Sequence, residues 1–188
     1  MILDQARSGS PQSPSRSLVP GSGSGGPGDG VTSAEAAMSV LYFAYGSNLK
    51  WRRMRQRIPS ARREAIAFLD HHRLVCNKRG RDGSAKANLV RAAGHRVWGV
   101  LYRIEQAQLA LIDRFEMGYE RVDVEVRTTA GDTHRASTYR SDRITRNPVP
   151  FDWYREMILE GAREHGLPEE YLTVLEALPA KPDGRARD

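Results

Sequence analysis

The stretch YFAYGSNL at residues 42–49 brings an apolar, aromatic run directly to Gly46, Ser47 and Asn48. Glycine allows close approach of a ligand, and the backbone N–H groups at the start of a following helix are free to bind an anion. Ser47 and Asn48 add side-chain donors. Such a turn suits a carboxylate, a phosphate or the oxyanion formed when a carbonyl is attacked. The alternative is structural, with Gly46 in an ordinary turn and Asn48 capping the helix.

Glu116, in RFEMGYERV, is the candidate acid–base group. It comes at the end of a short predicted helix, between Phe115 and Met117 and just before Gly118. Apolar neighbours disfavour the charged form of a carboxyl group, which would let it both accept and return a proton near neutral pH. Asp113, three residues earlier, shares roughly the same helical face and is either a supporting group or a surface charge. The alternative for Glu116 itself is a solvated residue at the helix C-terminus.

Other common kinds of site are not indicated. No glycine-rich loop precedes Lys-Ser/Thr and no G-x-G-x-x-G occurs within residues 38–178, so a small carboxylate-bearing ligand is favoured over a nucleotide. The G-x-S-x-G elbow of many hydrolases is also absent. Cys76 has no second cysteine or nearby histidine, which indicates a buried, inert thiol. The histidines lack carboxylates at ligand spacing, and His71 and His72 would point to opposite faces of a strand, so we expect no metal and no cofactor.

The chain of 188 residues is typical of one domain with two tails. Residues 1–37 are rich in Ser, Gly and Pro and are expected to be disordered, residues 38–178 to form the domain, and residues 179–188 to be flexible. No apolar run of about 18 residues occurs, so no membrane span is expected, and the first residues contain no secretory h-region. The single cysteine fits a reducing compartment. We therefore expect a soluble, cytoplasmic protein.

Hydrophobic periodicity from residue 39 onward predicts a mixed α+β domain in the order β-α-β-β-β-α-β-β-α-α. The predicted strands are SVLYFAY, REAIAFLDHHRLVCN, KANLVRA, HRVWGVLYRI and the two arms of a hairpin in YERVDVEVRTTAGDTHRASTYR. The predicted helices are NLKWRRMRQRI, EQAQLALIDRFE, FDWYREMILEGAREH and EEYLTVLEAL. In the second helix, Leu109, Ile112 and Phe115 are expected on one side. Gly166 and Pro168 separate the last two helices.

Basic residues give the chain a net charge of +6 and cluster at residues 51–57, 61–63 and 77–81. A positive surface attracts nucleic acid or another anionic polymer. None of the clusters has the interleaved aromatic residues that stack on bases, so nucleic-acid binding is disfavoured. A non-catalytic basic module for nucleic acid, with residues 77–81 as its patch, is nevertheless the alternative from another functional class.

Four stretches together resemble the γ-glutamylcyclotransferase family: YFAYGSNL, VWGVLYRI, LALIDRFEMGYERVDVEV and AREHGLPEEYLTVLEAL. They occur in a single order between about residue 40 and about residue 177. The resemblance implies a γ-glutamylcyclotransferase-like mixed β-sheet or partial barrel with flanking helices. One departure is Met117, which separates Glu116 from Gly118 where the family often has Glu-Gly directly.

The resemblance also implies roles for individual residues. Glu116 is implied to be the general acid/base. Tyr139 in STYRS and Tyr154 in DWYREMI fall at tyrosines of the family's substrate pocket. The remaining implied substrate-binding residues belong to the first strand and the turn after it: Tyr42, Phe43, Ala44, Tyr45, Gly46, Ser47 and Asn48.

Members of that family convert a γ-glutamyl amino acid into 5-oxoproline and the free amino acid, as lyases of the γ-glutamyl cycle in glutathione metabolism. The resemblance thus implies a small γ-glutamyl substrate and no cofactor, and it allows a homodimer. An alternative within the same chemistry is a cyclotransferase for γ-glutamyl amines or for a γ-glutamyl-protected biosynthetic intermediate, because those enzymes share the turn and the glutamate.

Overall fold

The computed structural model of the protein describes residues 39–184, which form five strands and four α-helices. The strands are β1 (Ser39–Ala44), β2 (Arg62–Arg79), β3 (Ala85–Glu105), β4 (Glu120–Thr128) and β5 (Thr133–Arg140). The helices are α1 (Trp51–Arg57), α2 (Leu109–Phe115), α3 (Asp152–His165) and α4 (Glu169–Glu176). Short 3-10 turns precede α1 at Ser47–Leu49 and α2 at Gln106–Gln108. The predicted tail at residues 1–37 lies outside the described residues.

The five strands close into a barrel in the order β1-β3-β2-β4-β5, with β1 returning to β5. Neighbouring strands are antiparallel except β1 and β5, which are parallel. Closure pairs the two strands that an open sheet would leave at its edges. The predicted α+β class, with a mixed sheet that curls into a barrel and carries flanking helices, is confirmed.

The segments KANLVRA and HRVWGVLYRI belong to one continuous strand, β3, so the prediction of three strands between α1 and α2 is wrong. The intervening Ala-Ala-Gly-His is typical of a turn, but Gly94 adopts a φ of 77° within an extended chain. The pairing with β2 does shift there, since Asp70 pairs with Arg96 and His72 with Arg91. The glycine therefore marks an irregularity inside a strand rather than its end.

Phe115 does not share the predicted apolar face of α2. Ile112 is buried, whereas Phe115 is 50% exposed. A residue six positions further along a helix lies about 120° around its axis, so Leu109 and Phe115 cannot face the same side. The Phe115 ring instead packs beside Arg57, whose guanidinium carbon is 4.8 Å from the ring centre.

Helix α3 packs closely against the turn that follows β1. Gly161 permits the approach, because a Cβ there would lie 2.5 Å from the carbonyl carbon of Leu49 and 2.5 Å from the nitrogen of Lys50. Helix α3 ends at Gly166, whose φ of 67° is the left-handed conformation that favours glycine. Pro168 precedes α4. Both predicted helix boundaries are confirmed.

Residues 179–184 return to the start of α3. Lys181 forms a parallel bridge with Phe151, and Asp183 accepts a 3.0 Å hydrogen bond from the indole of Trp153. The segment predicted to be flexible is thus bonded to the domain as far as Asp183. Among the helices that the structure describes, none is both long enough and apolar enough to cross a membrane.

Candidate active site

The turn after β1 consists of Gly46 and one 3-10 turn, Ser47–Leu49. The Leu49 N–H donates to the Gly46 carbonyl at 2.9 Å. The amides of residues 46–48 come before this first donor, so they have no acceptor within the turn. A Cβ at Gly46 would lie 3.3 Å from the Cβ of Ala87, so a side chain there would narrow the space above the turn.

Asn48 does not cap the following helix, so the structural alternative for this residue is wrong. Helix α1 begins after Lys50 without a side-chain cap. The Asn48 amide nitrogen donates to Tyr42 Oη at 2.7 Å and to Glu116 Oε1 at 3.0 Å. Its amide oxygen accepts from Arg57 at 2.8 Å. Asn48 therefore connects the turn to the predicted acid–base residue.

The Glu116 carboxylate is held at one of its two oxygens. Arg57 Nη1 donates to Oε1 at 3.0 Å, beside the bond from Asn48. No hydrogen bond from residues 39–184 reaches Oε2, and 15% of the side chain is exposed. Oε1 is thus fixed in place, and Oε2 is available to a molecule in the adjoining pocket.

The apolar surroundings predicted for Glu116 are wrong. Phe115 and Met117 are 50% and 45% exposed, so they do not enclose the carboxyl group. The groups that contact it are the hydrogen-bond donors of Asn48 and Arg57. The carboxylate is therefore oriented by polar contacts rather than desolvated by apolar ones.

Tyrosine side chains line the pocket around this carboxylate. Burial raises the pKa of each hydroxyl, so all of them stay protonated: Tyr42, Tyr45, Tyr119, Tyr139 and Tyr154. For Tyr42, the next largest contribution to the raised pKa is the negative charge of Glu116. Neutral hydroxyls can donate and accept hydrogen bonds without adding charge to the pocket.

Several of these hydroxyls are also bonded to the protein. Tyr139 Oη donates to Asp113 Oδ1 at 2.7 Å, and Tyr45 Oη donates to the Tyr139 carbonyl at 2.6 Å. Tyr154 Oη accepts from the Ala87 N–H at 3.2 Å. Asp113 therefore supports a pocket tyrosine, which is the first of the two roles considered for it.

One pocket collects most of the predicted site residues. The predicted residues that line it are Tyr42, Tyr45, Gly46, Ser47, Asn48, Glu116, Tyr139 and Tyr154. Phe43 and Ala44 do not line it, which corrects their predicted role in substrate binding. Side chains alternate along β1, so the Phe43 ring lies on the opposite face from Tyr42 and packs against Gly99, while Ala44 is buried in the core.

Sequence reasoning missed three residues of the site: Arg57, Ala87 and Tyr119. Tyr119 Oη donates to the Ala87 carbonyl at 2.6 Å. Its position three residues after Glu116 was a signal that could have identified it. No comparable signal existed for Ala87, on a strand distant in sequence, or for Arg57, one of several arginines on its helix.

No group of three or more His, Cys, Asp or Glu side chains that could hold a metal ion occurs in the part of the chain that the structure describes. We expected His71 and His72 to point to opposite faces of a regular strand. His71 instead has a φ of 57° at the irregularity in β2, so that argument does not apply there. His165 is structural, with Nε2 2.9 Å from the Leu49 carbonyl oxygen. Burial raises the pKa of Cys76 to about 12, as expected for an inert thiol.

Comparisons with known proteins identify the family of the chain. The AIG2-like family matches residues 96–175. The Homo sapiens protein named gamma-glutamylcyclotransferase is 34% identical over 149 residues, which cover 74% of this chain and 79% of that protein. The Mus musculus protein of the same name is 32% identical over 160 residues, covering 80% and 85%.

Solved structures show the same fold. A gamma-glutamyl cyclotransferase superposes with a TM-score of 0.73 at 30% identity, over 80% of this chain and 92% of that one. A yeast gamma-glutamyl cyclotransferase specific to glutathione has a TM-score of 0.54 at 14% identity, which supports the fold alone. The fold is thus of the γ-glutamylcyclotransferase-like class. The chain belongs to the γ-glutamylcyclotransferase family, and the resemblance seen in its motifs is confirmed.

Proposed function

We propose that this protein is a γ-glutamylcyclotransferase that converts a γ-glutamyl amino acid into 5-oxoproline and the free amino acid. The observation that carries the proposal is the Glu116 carboxylate, fixed at Oε1 by Asn48 and Arg57. The same pocket contains the turn after β1. The name of the relatives supports this reaction. As predicted, we place it in the γ-glutamyl cycle of glutathione metabolism, in the cytoplasm and without a cofactor.

The nucleophile of this reaction belongs to the substrate. Its α-nitrogen attacks its own γ-carbonyl carbon, a C–N bond closes the five-membered lactam, and the bond to the leaving nitrogen breaks. The α-ammonium loses two protons and the leaving nitrogen gains two, so the protons balance. Glu116 accepts each proton at Oε2 and returns it to the leaving nitrogen, which makes it the general acid/base.

The negative charge that develops on the γ-carbonyl oxygen needs hydrogen-bond donors. The amides of residues 46–48 and the neutral hydroxyls around the pocket supply them. Binding against the turn also holds the substrate in its cyclising conformation, which removes an entropic cost from the chemical step.

Arg57 is a positioning residue in this scheme. Its guanidinium bonds Glu116 Oε1 at 3.0 Å and the Asn48 amide oxygen at 2.8 Å. Because Arg57 and the Asn48 that it supports both bond Oε1, Glu116 keeps one orientation while Oε2 exchanges protons.

Release of 5-oxoproline from γ-glutamyl-alanine tests the proposal. We expect the purified protein to produce 5-oxoproline and alanine in equal amounts. A parallel reaction with a γ-glutamyl polyamine tests the alternative acceptor class. Turnover of the polyamine conjugate alone would favour a γ-glutamylamine cyclotransferase, and no release from either substrate by folded protein would contradict the cyclotransferase reaction.

Tyr154→Phe removes a hydroxyl that lies above the turn. Tyr154 Oη lies 3.8 Å from the point that a Cβ would occupy if Gly46 had one, and it accepts a hydrogen bond from the Ala87 N–H. We expect KM for γ-glutamyl-alanine to rise about tenfold with a smaller change in kcat, because a hydrogen bond to a charged group contributes about 1.5 kcal/mol. Tyr171→Phe, at a buried tyrosine of α4 outside the pocket, is the matched control. An unchanged KM for Tyr154→Phe would contradict its placement at the substrate.

A further inference from the structure

A positively charged surface surrounds the opening of the pocket. We define the basic mouth as the cations on this surface: Arg53, Arg57, Lys78, Arg81, Lys86 and Arg114. The same surface includes four residues that also line the pocket: Ser47, Glu116, Tyr119 and Tyr154. The basic mouth is therefore continuous with the site that contains the proposed acid–base residue.

Only part of this positive charge is neutralised within the described chain. Arg57 pairs with Glu116 at 3.0 Å, and Lys86 pairs with Asp82 at 2.5 Å. Among residues 39–184, the other four cations form no ion pair with a carboxylate: Arg53, Lys78, Arg81 and Arg114. Among the described residues, the opening of the pocket thus has six cations and two carboxylates, Asp82 and Glu116.

Arg53 gives the strongest indication that an anion binds here. It lies on α1 one turn before Arg57, so two like charges are neighbours. Its Nε atom is buried and has no hydrogen-bond acceptor among the described residues. Burial, followed by the charge of Arg57, lowers the pKa of Arg53. A carboxylate bound at the part of Arg53 that lines the mouth would offset both unfavourable effects.

A second groove extends the positive surface away from the pocket. It shares Lys78 and Arg81 with the basic mouth. It adds Arg79 and Arg143 to the lining, against one carboxylate, Asp142. Positive charge therefore continues beyond the groups nearest to Glu116.

The leaving group of the substrate must face this surface, because the turn and the tyrosines surround the glutamyl end. We propose that the basic mouth binds the leaving group and that the enzyme prefers leaving groups with two or more carboxylates, namely acidic amino acids or short acidic peptides. This inference rests on the proposed function, since it names the acceptor side of the same site. One carboxylate of the leaving group binds Arg53, and the second meets the cations that form no ion pair within residues 39–184.

The same surface disfavours cationic leaving groups. A γ-glutamyl polyamine would place ammonium groups beside Arg53, Lys78 and Arg81, and like charges brought together oppose binding. The basic mouth therefore favours amino-acid leaving groups over the amine leaving groups of a γ-glutamylamine cyclotransferase.

The test compares kcat/KM for γ-glutamyl-glutamate with kcat/KM for γ-glutamyl-glutamine, which has nearly the same shape without the second charge. We expect at least about a tenfold preference for the acidic substrate at low ionic strength, decreasing as salt screens the charges. Equal values at low salt would overturn the inference and leave the proposed function intact. No 5-oxoproline from either substrate or from γ-glutamyl-alanine would instead overturn the function itself.

Arg53→Gln and Arg52→Gln form a matched pair of variants. Arg52 is the adjacent residue on α1, is exposed and lies outside the lining of the mouth. We expect Arg53→Gln to reduce the glutamate-to-glutamine ratio at least about fivefold and Arg52→Gln to change it less than about twofold. Equal effects of the two changes would overturn the assignment to the basic mouth. If Arg53→Gln does not fold, Arg81→Gln replaces it, because Arg81 lies at an exposed position after β2. The same change in the glutamate-to-glutamine ratio is then expected, and the same result would overturn the assignment.

Discussion

Glu116→Gln is expected to abolish 5-oxoproline formation in a protein that still folds. The amide retains an oxygen that can accept from Asn48 and Arg57, as Oε1 does in the structure. It cannot accept a proton from the substrate α-ammonium. General acid–base catalysis contributes roughly 10²- to 10⁴-fold, and Glu116 serves both nitrogens, so we expect kcat to fall at least about 10³-fold. The measurement is 5-oxoproline release from γ-glutamyl-alanine under saturating substrate.

Glu120→Gln is the matched control for this experiment. Glu120 is an exposed carboxylate at the start of β4, 3.7 Å from Arg140, and exposed ion pairs contribute about 0–1 kcal/mol. We expect it to keep the wild-type kcat. A melting temperature close to wild type for Glu116→Gln would separate lost chemistry from lost structure. Turnover of that variant within about tenfold of wild type would contradict the general acid/base role.

The parts of the site that could be predicted from sequence are those encoded locally. Gly46, Ser47 and Asn48 are contiguous, and the turn they form is short enough to be seen in the sequence. The role of the Asn48 side chain could not be predicted in this way. Its partner Glu116 is 68 residues away, and the bond exists only because the fold brings the turn after β1 next to the end of α2. A local rule instead predicted a helix cap.

The contacts of the basic residues could not be predicted from local sequence either. Helical spacing places Arg53 and Arg57 on one side of α1, but only packing against α2 determines that Arg57 meets Glu116. The cluster at residues 77–81 was considered as a patch for an anionic polymer. The structure brings its Lys78 and Arg81 beside Arg53, because β2 ends at the opening of the pocket. Charges from separate stretches of sequence thus become one surface.

The errors in secondary structure arose where a strong local signal competed with long-range pairing. Gly94 lies in a stretch typical of a turn, yet β2 provides a partner on both sides of it and β3 continues. Conversely, Gly166 and Pro168 act on the backbone directly, so the helix boundaries they predict agree with the structure. Local rules were therefore reliable at Gly166 and Pro168, but not for the start of α1 or for the length of paired strands.

Gly161→Ala is expected to destabilise the protein, although alanine is the better helix former. In a helix without neighbours, this change stabilises by roughly 0.5–1 kcal/mol. Here the new Cβ would lie 2.5 Å from the backbone of both Leu49 and Lys50. Overpacking of this kind costs about 1–3 kcal/mol and occasionally more, so we expect the free energy of unfolding to fall by about 2 kcal/mol in urea denaturation. A more stable variant would show that the helix–turn contact relaxes without cost.

The same substitution is expected to reduce activity in the fraction that folds. Helix α3 packs on the turn that carries Ser47 and Asn48, and a misplacement of about 1 Å near reacting groups can lower a rate about 100-fold. We expect kcat/KM to fall between about 10- and 100-fold. Gly94→Ala is the control, because its φ of 77° and open surroundings give about 1–2 kcal/mol of backbone strain without a contact near the turn. We expect Gly94→Ala to lose a comparable amount of stability and to keep the wild-type kcat/KM. Full activity of folded Gly161→Ala would refute the coupling between α3 and the turn.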